Sequence, residues 1–260
     1  MIDSTDNNQY STPDKLNTRI SIHKKYSANK QGFGNWIFTN YRIEEGMKVL
    51  ELGCGTGEMW MGQDALIRRC SKLFLTDLSK GMTAAARENL KGYGNIEFCT
   101  ADIQDIPFAD NEFDVVIANM MLYHVKDLEL GLKEVARVLK SDGTFYCATY
   151  GENGIREHIE LFFDDFPISS VYNCSFTLRN GKGILAKYFG SVEKRLYEDS
   201  LEVTNADDLI DYIYSLPSFS DIQDYPRDTL RTVLENNMRE GVLHIPKDYG
   251  MFIAQKNKNR

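Results

Sequence analysis

The stretch VLELGCGTGEMW, from Val49 to Trp60, decides the fold because it joins two kinds of secondary structure. Its first four residues are a largely apolar run typical of a buried strand, and three glycines follow within five residues. The residues after Gly57 have helical character. A glycine-rich turn between a strand and a helix commonly brings backbone N–H groups close to a nucleotide. The stretch therefore predicts a nucleotide-binding turn.

Similar apolar runs alternate with helical patterns as far as Tyr150. The predicted strands are MKVLEL, KLFLTD, IEFCTAD, FDVVIAN and SDGTFYCATY, and Asp127 is a predicted N-cap of the helix before the last of them. Strands and helices that alternate at this spacing predict an α/β fold with a parallel sheet covered on both faces. Ligands of such sheets bind beyond the carboxyl ends of the strands.

The remaining segments differ from this core in pattern. Residues 1–13 are polar and are predicted to be a disordered lead-in, so that the domain spans 14–260. Within it we distinguish an N-terminal helical segment at 14–45, the core at 46–150, an irregular aromatic-rich insertion at 151–190 and a C-terminal part at 191–260. The last part contains two amphipathic helices and a closing strand, YGMFIAQK.

Composition excludes several classes of protein. Thirty Lys and Arg oppose 38 Asp and Glu, and the net charge of -8 argues against general nucleic-acid binding, which needs a positive face. No apolar run approaches the roughly 20 residues of a membrane span. The five cysteines form neither a CxxC pair nor a Cys/His cluster, which predicts reduced thiols in a cytoplasmic protein without a metal site.

The glycine loop has the pattern ExGxGxG from Glu51 to Gly57. Gly53 suits a tight turn, Gly55 a close approach of backbone to a ligand, and Gly57 a helix packed close to the strand. A dinucleotide fingerprint needs glycine at position 58, where this chain has Glu58. An anionic side chain there also opposes a pyrophosphate, which favours a ligand without phosphate. A glycine turn with no ligand is the alternative.

Two acidic residues follow the next strands. Asp77, 22 residues beyond Gly55, can accept hydrogen bonds from both hydroxyls of a ribose, or it can be the N-cap of the next helix. Asp102 can accept from an adenine amine, with Ile103 against the adenine face, or it can be a solvated loop carboxylate. Together these residues occur in the order expected for a nucleoside site.

Four stretches resemble class I S-adenosylmethionine-dependent methyltransferases, most closely the small-molecule branch of ubiquinone and menaquinone biosynthesis. They are VLELGCGTG, LTDLSKGM, TADIQDIPFADNEFDVVIANMMLYHV and EVARVLKSDGTF, and the resemblance covers residues 45–150. It implies a Rossmann-like, doubly wound sheet of seven strands, with the last strand antiparallel and YGMFIAQK in the final hairpin. It also implies a helical, aromatic lid.

The resemblance further implies S-adenosyl-L-methionine as the cofactor and a set of binding residues. Those expected beside the methionine part are Glu51, Gly53, Cys54, Gly55 and Gly57; Asp77 is expected at the ribose, Leu78, Met82, Asp102 and Ile103 around the adenine, and Asn119 and Met120 near the sulfonium. Cys54 is expected to contribute its backbone, as a small residue between glycines.

Other candidates lie outside these motifs. Tyr26 and Trp36 are chosen for contact with cofactor or substrate because their segment, which contains the hinge-like GFG, can fold back over the site. The aromatic residues of the predicted lid are Tyr26, Phe33, Trp36, Phe38, Phe162, Phe163, Phe166, Tyr172 and Phe176. Most are expected to form the core of the lid. A few that line a pocket would favour an apolar or aromatic acceptor.

His124 is the candidate general base, since imidazole is the usual acid-base group near neutral pH. The alternative is a histidine satisfied by backbone at a strand-helix junction. The sequence thus predicts a methyltransferase acting on an O, N or C nucleophile of a small molecule. A cofactor-binding accessory protein is the alternative, and an NAD-dependent oxidoreductase is disfavoured by Glu58. Residues 119–122 are NMML, whereas an NPPY-type tetrapeptide is a signature of nucleic-acid base methyltransferases. This difference disfavours methylation of DNA or RNA as the function. Monomer and homodimer both stay open.

Overall fold

The computed structural model describes residues 13–164 and 175–256. Lead-in residues 1–12 and the lid candidates Phe166 and Tyr172 lie outside the described residues. The strands are β1 (Lys48–Leu52), β2 (Lys72–Asp77), β3 (Ile96–Thr100), β4 (Phe113–Ile117), β5 (Leu139–Tyr150), β6 (Ser191–Val203) and β7 (Leu243–Gln255). The helices are α1 (Pro13–Tyr26), α2 (Phe33–Asn40), α3 (Asp64–Arg69), α4 (Lys80–Asn89), α5 (Leu128–Val138), α6 (Ile155–Phe162), α7 (Gly181–Leu185), α8 (Ala206–Ser215), α9 (Ser220–Gln223) and α10 (Arg227–Asn237).

The sheet has seven strands in the order β3-β2-β1-β4-β5-β7-β6. The pairs β1–β2, β1–β4, β2–β3 and β4–β5 are parallel, whereas β5 and β7 are antiparallel. The predicted α/β fold with an antiparallel last strand is therefore confirmed, and β7 includes all of YGMFIAQK except its last residue, Lys256. The predicted N-cap is also confirmed, because the Asp127 side chain accepts from the Leu130 N–H at the start of α5.

Alternate residues along the central strands enter two different cores, one on each face of the sheet. Leu50, Val116 and Phe145 belong to one buried cluster, and their neighbours Val49 and Val115 to the other. Strands buried on both faces must be apolar almost throughout, which explains the continuous apolar run of β4.

The described chain divides into two compact units built from interleaved segments. The sheet unit comprises residues 33–151, 175–197 and 249–256, and the helical unit comprises residues 13–32, 152–164 and 198–248. In the helical unit α1 and α10 each pack against α8, whose Leu209, Ile210 and Ile213 are fully buried. The lid role predicted for 14–45 and 151–190 stays a prediction.

One predicted element is wrong in detail. The residues after Gly57, whose sequence EMWMGQDALIRRC has helical character, form a 3-10 turn at Glu58–Trp60 and the separate helix α3 instead of one helix. Gly62 lies between them with φ 81°, a left-handed conformation that ends the first turn. The insertion at 151–190 is also more regular than predicted, since it contains α6 and α7.

Candidate nucleoside-binding site

The carboxyl ends of the parallel strands bring the main candidates together in the sheet unit. Glu51 near the end of β1 pairs in register with Leu75 of β2 and Ile117 of β4. Asp77 ends β2, and Asn119 follows β4 by two residues. The residues that sequence reasoning selected from three separate motifs therefore lie at one edge of the sheet.

The glycine loop is tied to the end of β2 by two backbone donors. The Cys54 N–H donates to the Thr76 carbonyl at 2.8 Å, and the Gly55 N–H donates to Asp77 Oδ2 at 3.0 Å. All three loop glycines are left-handed, with φ of 73° at Gly53, 57° at Gly55 and 70° at Gly57. This conformation is costly for residues with a Cβ, which explains the glycine at each position.

The space around these glycines differs. A Cβ on Gly53 would lie 3.0 Å from Met121 Cγ, and one on Gly57 would lie 3.0 Å from Leu90 Cδ1. A Cβ on Gly55 would meet no atom within 4 Å. Gly55 therefore borders open space, and its close approach to a ligand stays a prediction. Gly57 accommodates the end of α4 rather than the helix that follows its own strand.

Asp77 joins the glycine loop to the turn before α4 by hydrogen bonds and does not cap that helix. Its Oδ2 accepts from Gly55, and its Oδ1 accepts from the Ser79 N–H at 2.8 Å. The N-cap of α4 is Ser79, whose Oγ accepts from the Met82 N–H. The alternative interpretation of Asp77 as the N-cap is therefore wrong. Leu78, next to it, is 69% exposed.

Glu51 carries a buried carboxyl group, since the residue is only 3% exposed. Its Oε2 accepts from the Trp60 indole N–H, and Asn119 Nδ2 donates to the Tyr41 hydroxyl at 2.6 Å. Burial raises the Glu51 pKa to about 7, although hydrogen bonds from Trp60 and Asn119 favour the ionised form. Asn119 Oδ1 is buried and accepts no hydrogen bond from the described residues.

Sequence reasoning missed Trp60 and Tyr41 as members of the site. A signal for Trp60 was available, because a buried indole usually finds an acceptor for its N–H. Trp60 is 1% exposed and lies nine residues beyond Glu51. No sequence signal was available for Tyr41, because it precedes β1 and only the folding of the chain brings it into contact with Asn119.

Asp102 and Ile103 differ in how they face solvent. Asp102 is half-buried and its Oδ1 accepts from the Gln104 N–H at 2.8 Å, which closes a local turn. Ile103 is 5% exposed and belongs to a core cluster, with a Cβ on Gly131 of α5 lying 3.4 Å from its side chain. Contact of either residue with an adenine stays a prediction.

The segment after β4 turns sharply at Met120. Its φ of 52° is left-handed, and its N–H donates to the Ala148 carbonyl of β5 at 2.9 Å. Left-handed backbone in a non-glycine residue costs roughly 1–3 kcal/mol and clusters at functional sites. His124 follows as the exposed last residue of a 3-10 turn, with its ring centroid 4.5 Å from that of Tyr123. Tyr123 in turn lies 4.5 Å from the ring of Tyr150.

Tyr26 and Trp36 fall in different units. Tyr26 belongs to the helical unit, where it is 5% exposed and its hydroxyl donates to Asp208. Trp36 lies on α2 in the sheet unit and stacks on Phe33, with ring centroids 5.8 Å apart. Cofactor contact by either residue stays a prediction.

The described part of the chain holds no cluster of three or more metal-ligating side chains. None of its helices has the length and apolar character needed to cross a bilayer.

Comparison with known proteins shows what the segment that carries these residues is similar to. Residues 50–147 match a family model described as a methyltransferase domain. In this segment the chain is similar to methyltransferase domains. The segment contains the glycine loop and both acidic strand ends, together with Asn119 and Met120, so the predicted class I resemblance is confirmed.

Two curated relatives are similar to part of this chain. The demethylmenaquinone methyltransferase of Staphylococcus carnosus is 31% identical over 153 residues, which are 58% of this chain and 61% of the relative. The ubiquinone/menaquinone biosynthesis C-methyltransferase UbiE of Haemophilus ducreyi is 32% identical over 134 residues, 50% of this chain and 48% of the relative. The chain thus spans about half to three fifths of the length of these relatives.

Two solved structures have the same fold at low identity. A putative methyltransferase from Bacillus halodurans gives a TM-score of 0.62 at 15% identity, over 86% of this chain and 99% of that one. The YcgJ protein of Bacillus subtilis gives a TM-score of 0.59 at 17% identity, over 86% and 97%. At these identities the likeness extends to the fold alone.

Proposed function

We propose that the chain is an S-adenosylmethionine-dependent methyltransferase that moves a methyl group to an O, N or C nucleophile of a small apolar or aromatic molecule. The hydrogen bond from the Gly55 amide to Asp77 carries the proposal, because it joins the glycine loop to the acidic strand end that would hold a ribose. The similarity of residues 50–147 to methyltransferase domains supports it.

The polar atoms of the site suit this cofactor. Each Asp77 oxygen accepts one backbone hydrogen bond and keeps a lone pair for a ribose hydroxyl. The Glu51 carboxyl and the unpaired Asn119 Oδ1 are buried acceptors that match an ammonium group with three donors. The open space at Gly55 admits the chain that links ammonium and ribose.

The same site suits a dinucleotide less well. Glu58 is exposed in the first turn after the glycine loop, where a dinucleotide fold has glycine and a pyrophosphate. A carboxylate there repels phosphate, whereas S-adenosylmethionine has none. This difference favours the methyl-transfer interpretation over an NAD-dependent oxidoreductase.

When bound, the cofactor supplies a sulfonium whose methyl group is strongly electrophilic. The chain then has to hold the acceptor in line with the methyl–sulfur bond and exclude water, and such alignment contributes roughly 7–11 kcal/mol. His124 is our candidate to take a proton from the acceptor, a step that typically contributes about 10²–10⁴ in rate. The names of the curated relatives support a ring-containing, quinone-type acceptor.

A thermal-shift measurement tests the cofactor. S-adenosylhomocysteine at 100 times its dissociation constant stabilises a protein by about 2.7 kcal/mol, which raises the melting temperature of a chain this size by roughly 5–10 °C. We expect that shift and none with NAD. Stabilisation by NAD alone contradicts the proposal.

Transfer of labelled methyl from the cofactor into a small-molecule extract tests the reaction. We expect incorporation into an organic-soluble product. A chain that binds S-adenosylhomocysteine but incorporates no label in extracts would instead be the accessory, cofactor-binding protein. Incorporation into nucleic acid or protein fractions alone would contradict a small-molecule acceptor. The net charge of -8 supports a small-molecule acceptor over nucleic acid.

A further inference from the structure

The buried Glu51 carboxyl has neutral hydrogen-bond donors but no cationic partner among the described residues. None of the salt bridges there includes it. Trp60 donates an indole N–H and Asn119 presents its amide. An ionised carboxylate without a counter-charge is expensive to bury, so such groups tend to be neutral.

The titratable groups around Glu51 favour the same neutral state. Cys54 of the glycine loop, Asp77 of β2 and Tyr41 before β1 interact with it electrostatically, and none is positive. Burial and then the charge of Asp77 raise the Glu51 pKa from 4.5 to about 7. The pKa values of Cys54 and Tyr41 are raised as well, first by burial and next by Glu51, so both stay protonated.

Resting on the proposed function, we propose that binding of the cofactor's ammonium group expels one proton from Glu51, so that protonation of this carboxyl controls cofactor affinity near neutral pH. In the free protein the O–H bond of the neutral carboxyl is intact. On binding that bond breaks, the proton leaves to water, and a carboxylate–ammonium pair remains. No oxidation or other group transfer takes part.

The direction and size of the effect follow from the fraction of chains that are ready to bind. Only the ionised carboxylate pairs with an ammonium, and this form becomes rare as pH falls through 7. The apparent dissociation constant is the intrinsic one divided by that fraction, so affinity falls about tenfold from pH 8 to pH 6. Above pH 8 the affinity no longer changes with Glu51.

Calorimetric titration of the full chain with S-adenosylhomocysteine tests this inference. The titration is run at pH 6, 7 and 8, in phosphate and in Tris, whose ionisation enthalpies differ. We expect the tenfold change in dissociation constant and release of about half a proton at pH 7, rising towards one at pH 6. 5′-Methylthioadenosine, which has no ammonium group, should bind with no such pH dependence.

Two matched variants assign the proton. Glu51→Gln keeps the shape of the neutral carboxyl but cannot ionise, so its affinity should be weaker and independent of pH. Asp77→Asn removes the same charge at the ribose position and should keep a pH dependence, shifted to lower pH because the charge of Asp77 no longer raises the Glu51 pKa. A flat pH profile in the unmodified chain, with no proton release, overturns the inference but leaves the proposed function intact. Failure to bind S-adenosylhomocysteine at every pH overturns the proposed function instead.

Discussion

Gly55 and Gly57 adopt similar left-handed conformations but have different neighbours. We therefore expect Gly57 to matter for folding and Gly55 for ligand binding. Gly57 packs against Leu90 and Ala86 of α4, whereas Gly55 borders open space. The loop pattern alone indicates that glycines are needed. It does not indicate which glycine faces a ligand, because the partner of Gly57 comes from a helix about 30 residues further along the chain.

We predict that two alanine substitutions in this loop differ in whether they mainly lower stability or mainly lower ligand affinity. Gly57→Ala strains the backbone and places a Cβ 3.0 Å from Leu90 Cδ1, so it should lower the free energy of unfolding by about 1–3 kcal/mol. Gly55→Ala strains the backbone without a clash and should cost about 1–2 kcal/mol. Its methyl group enters the open space where we propose that the ligand approaches, however, and should weaken S-adenosylhomocysteine binding more than tenfold.

Urea unfolding and calorimetric binding of both variants check this prediction. Gly57→Ala that remains folded should bind with nearly the affinity of the unmodified chain. Equal losses of affinity in the two variants would mean that Gly55 does not border the ligand.

Among secondary-structure elements, those that depend on local pattern were predicted well. KLFLTD coincides with β2, and the N-cap at Asp127 starts α5. The break at Gly62 was missed because a helical pattern tolerates one glycine, and its left-handed φ belongs to the folded chain. The contact of Tyr41 with Asn119 was missed for a related reason, since it joins residues 78 positions apart.

At the same scale, a buried ion pair links β6 and β7 within the helical unit. Lys247 pairs with Asp199, and the two side chains are 2% and 0% exposed. Lys247 also donates to Ser27 Oγ at 2.6 Å, just beyond the end of α1. Burial lowers the Lys247 pKa, while Asp199 opposes that shift. The pair therefore holds three elements of this unit together.

We predict that Lys247→Met lowers the free energy of unfolding by about 3–5 kcal/mol, because it leaves Asp199 buried without its cation. Adding Asp199→Asn should recover much of this loss. Lys25→Met is the matched control: Lys25 pairs with Asp208, but its side chain is 56% exposed, so its loss should cost less than about 1 kcal/mol.

Chemical denaturation of the three variants measures these differences. A cost for Lys247→Met as small as that for Lys25→Met would show that the pair contributes nothing to the helical unit.

Across the whole molecule, the sheet is completed last by the strand latest in sequence. β5 pairs with β4 on one side and with β7 on the other, and β7 spans residues 243–255. Removal of β7 leaves the Thr144–Tyr150 edge of a central strand without its partner. Such an edge is a template for pairing with other chains.

We predict that a chain ending at residue 242 aggregates, whereas a chain ending at residue 256 unfolds like the full chain. Both keep residues 50–147, the complete segment that matches the methyltransferase-domain model. Size-exclusion chromatography and circular dichroism melting distinguish them. A monomeric, cooperatively melting product from the shorter chain would contradict the role assigned to β7.

The position of β7 also has a consequence for synthesis on the ribosome. The first five strands of the sheet emerge by residue 150, about a hundred residues before their last neighbour is translated. At roughly 5–20 residues per second the nascent chain carries an unprotected strand edge for about 5–20 seconds. Chaperone binding during translation should therefore concentrate in the interval between β5 and β7, and slow codons there would lengthen the exposure.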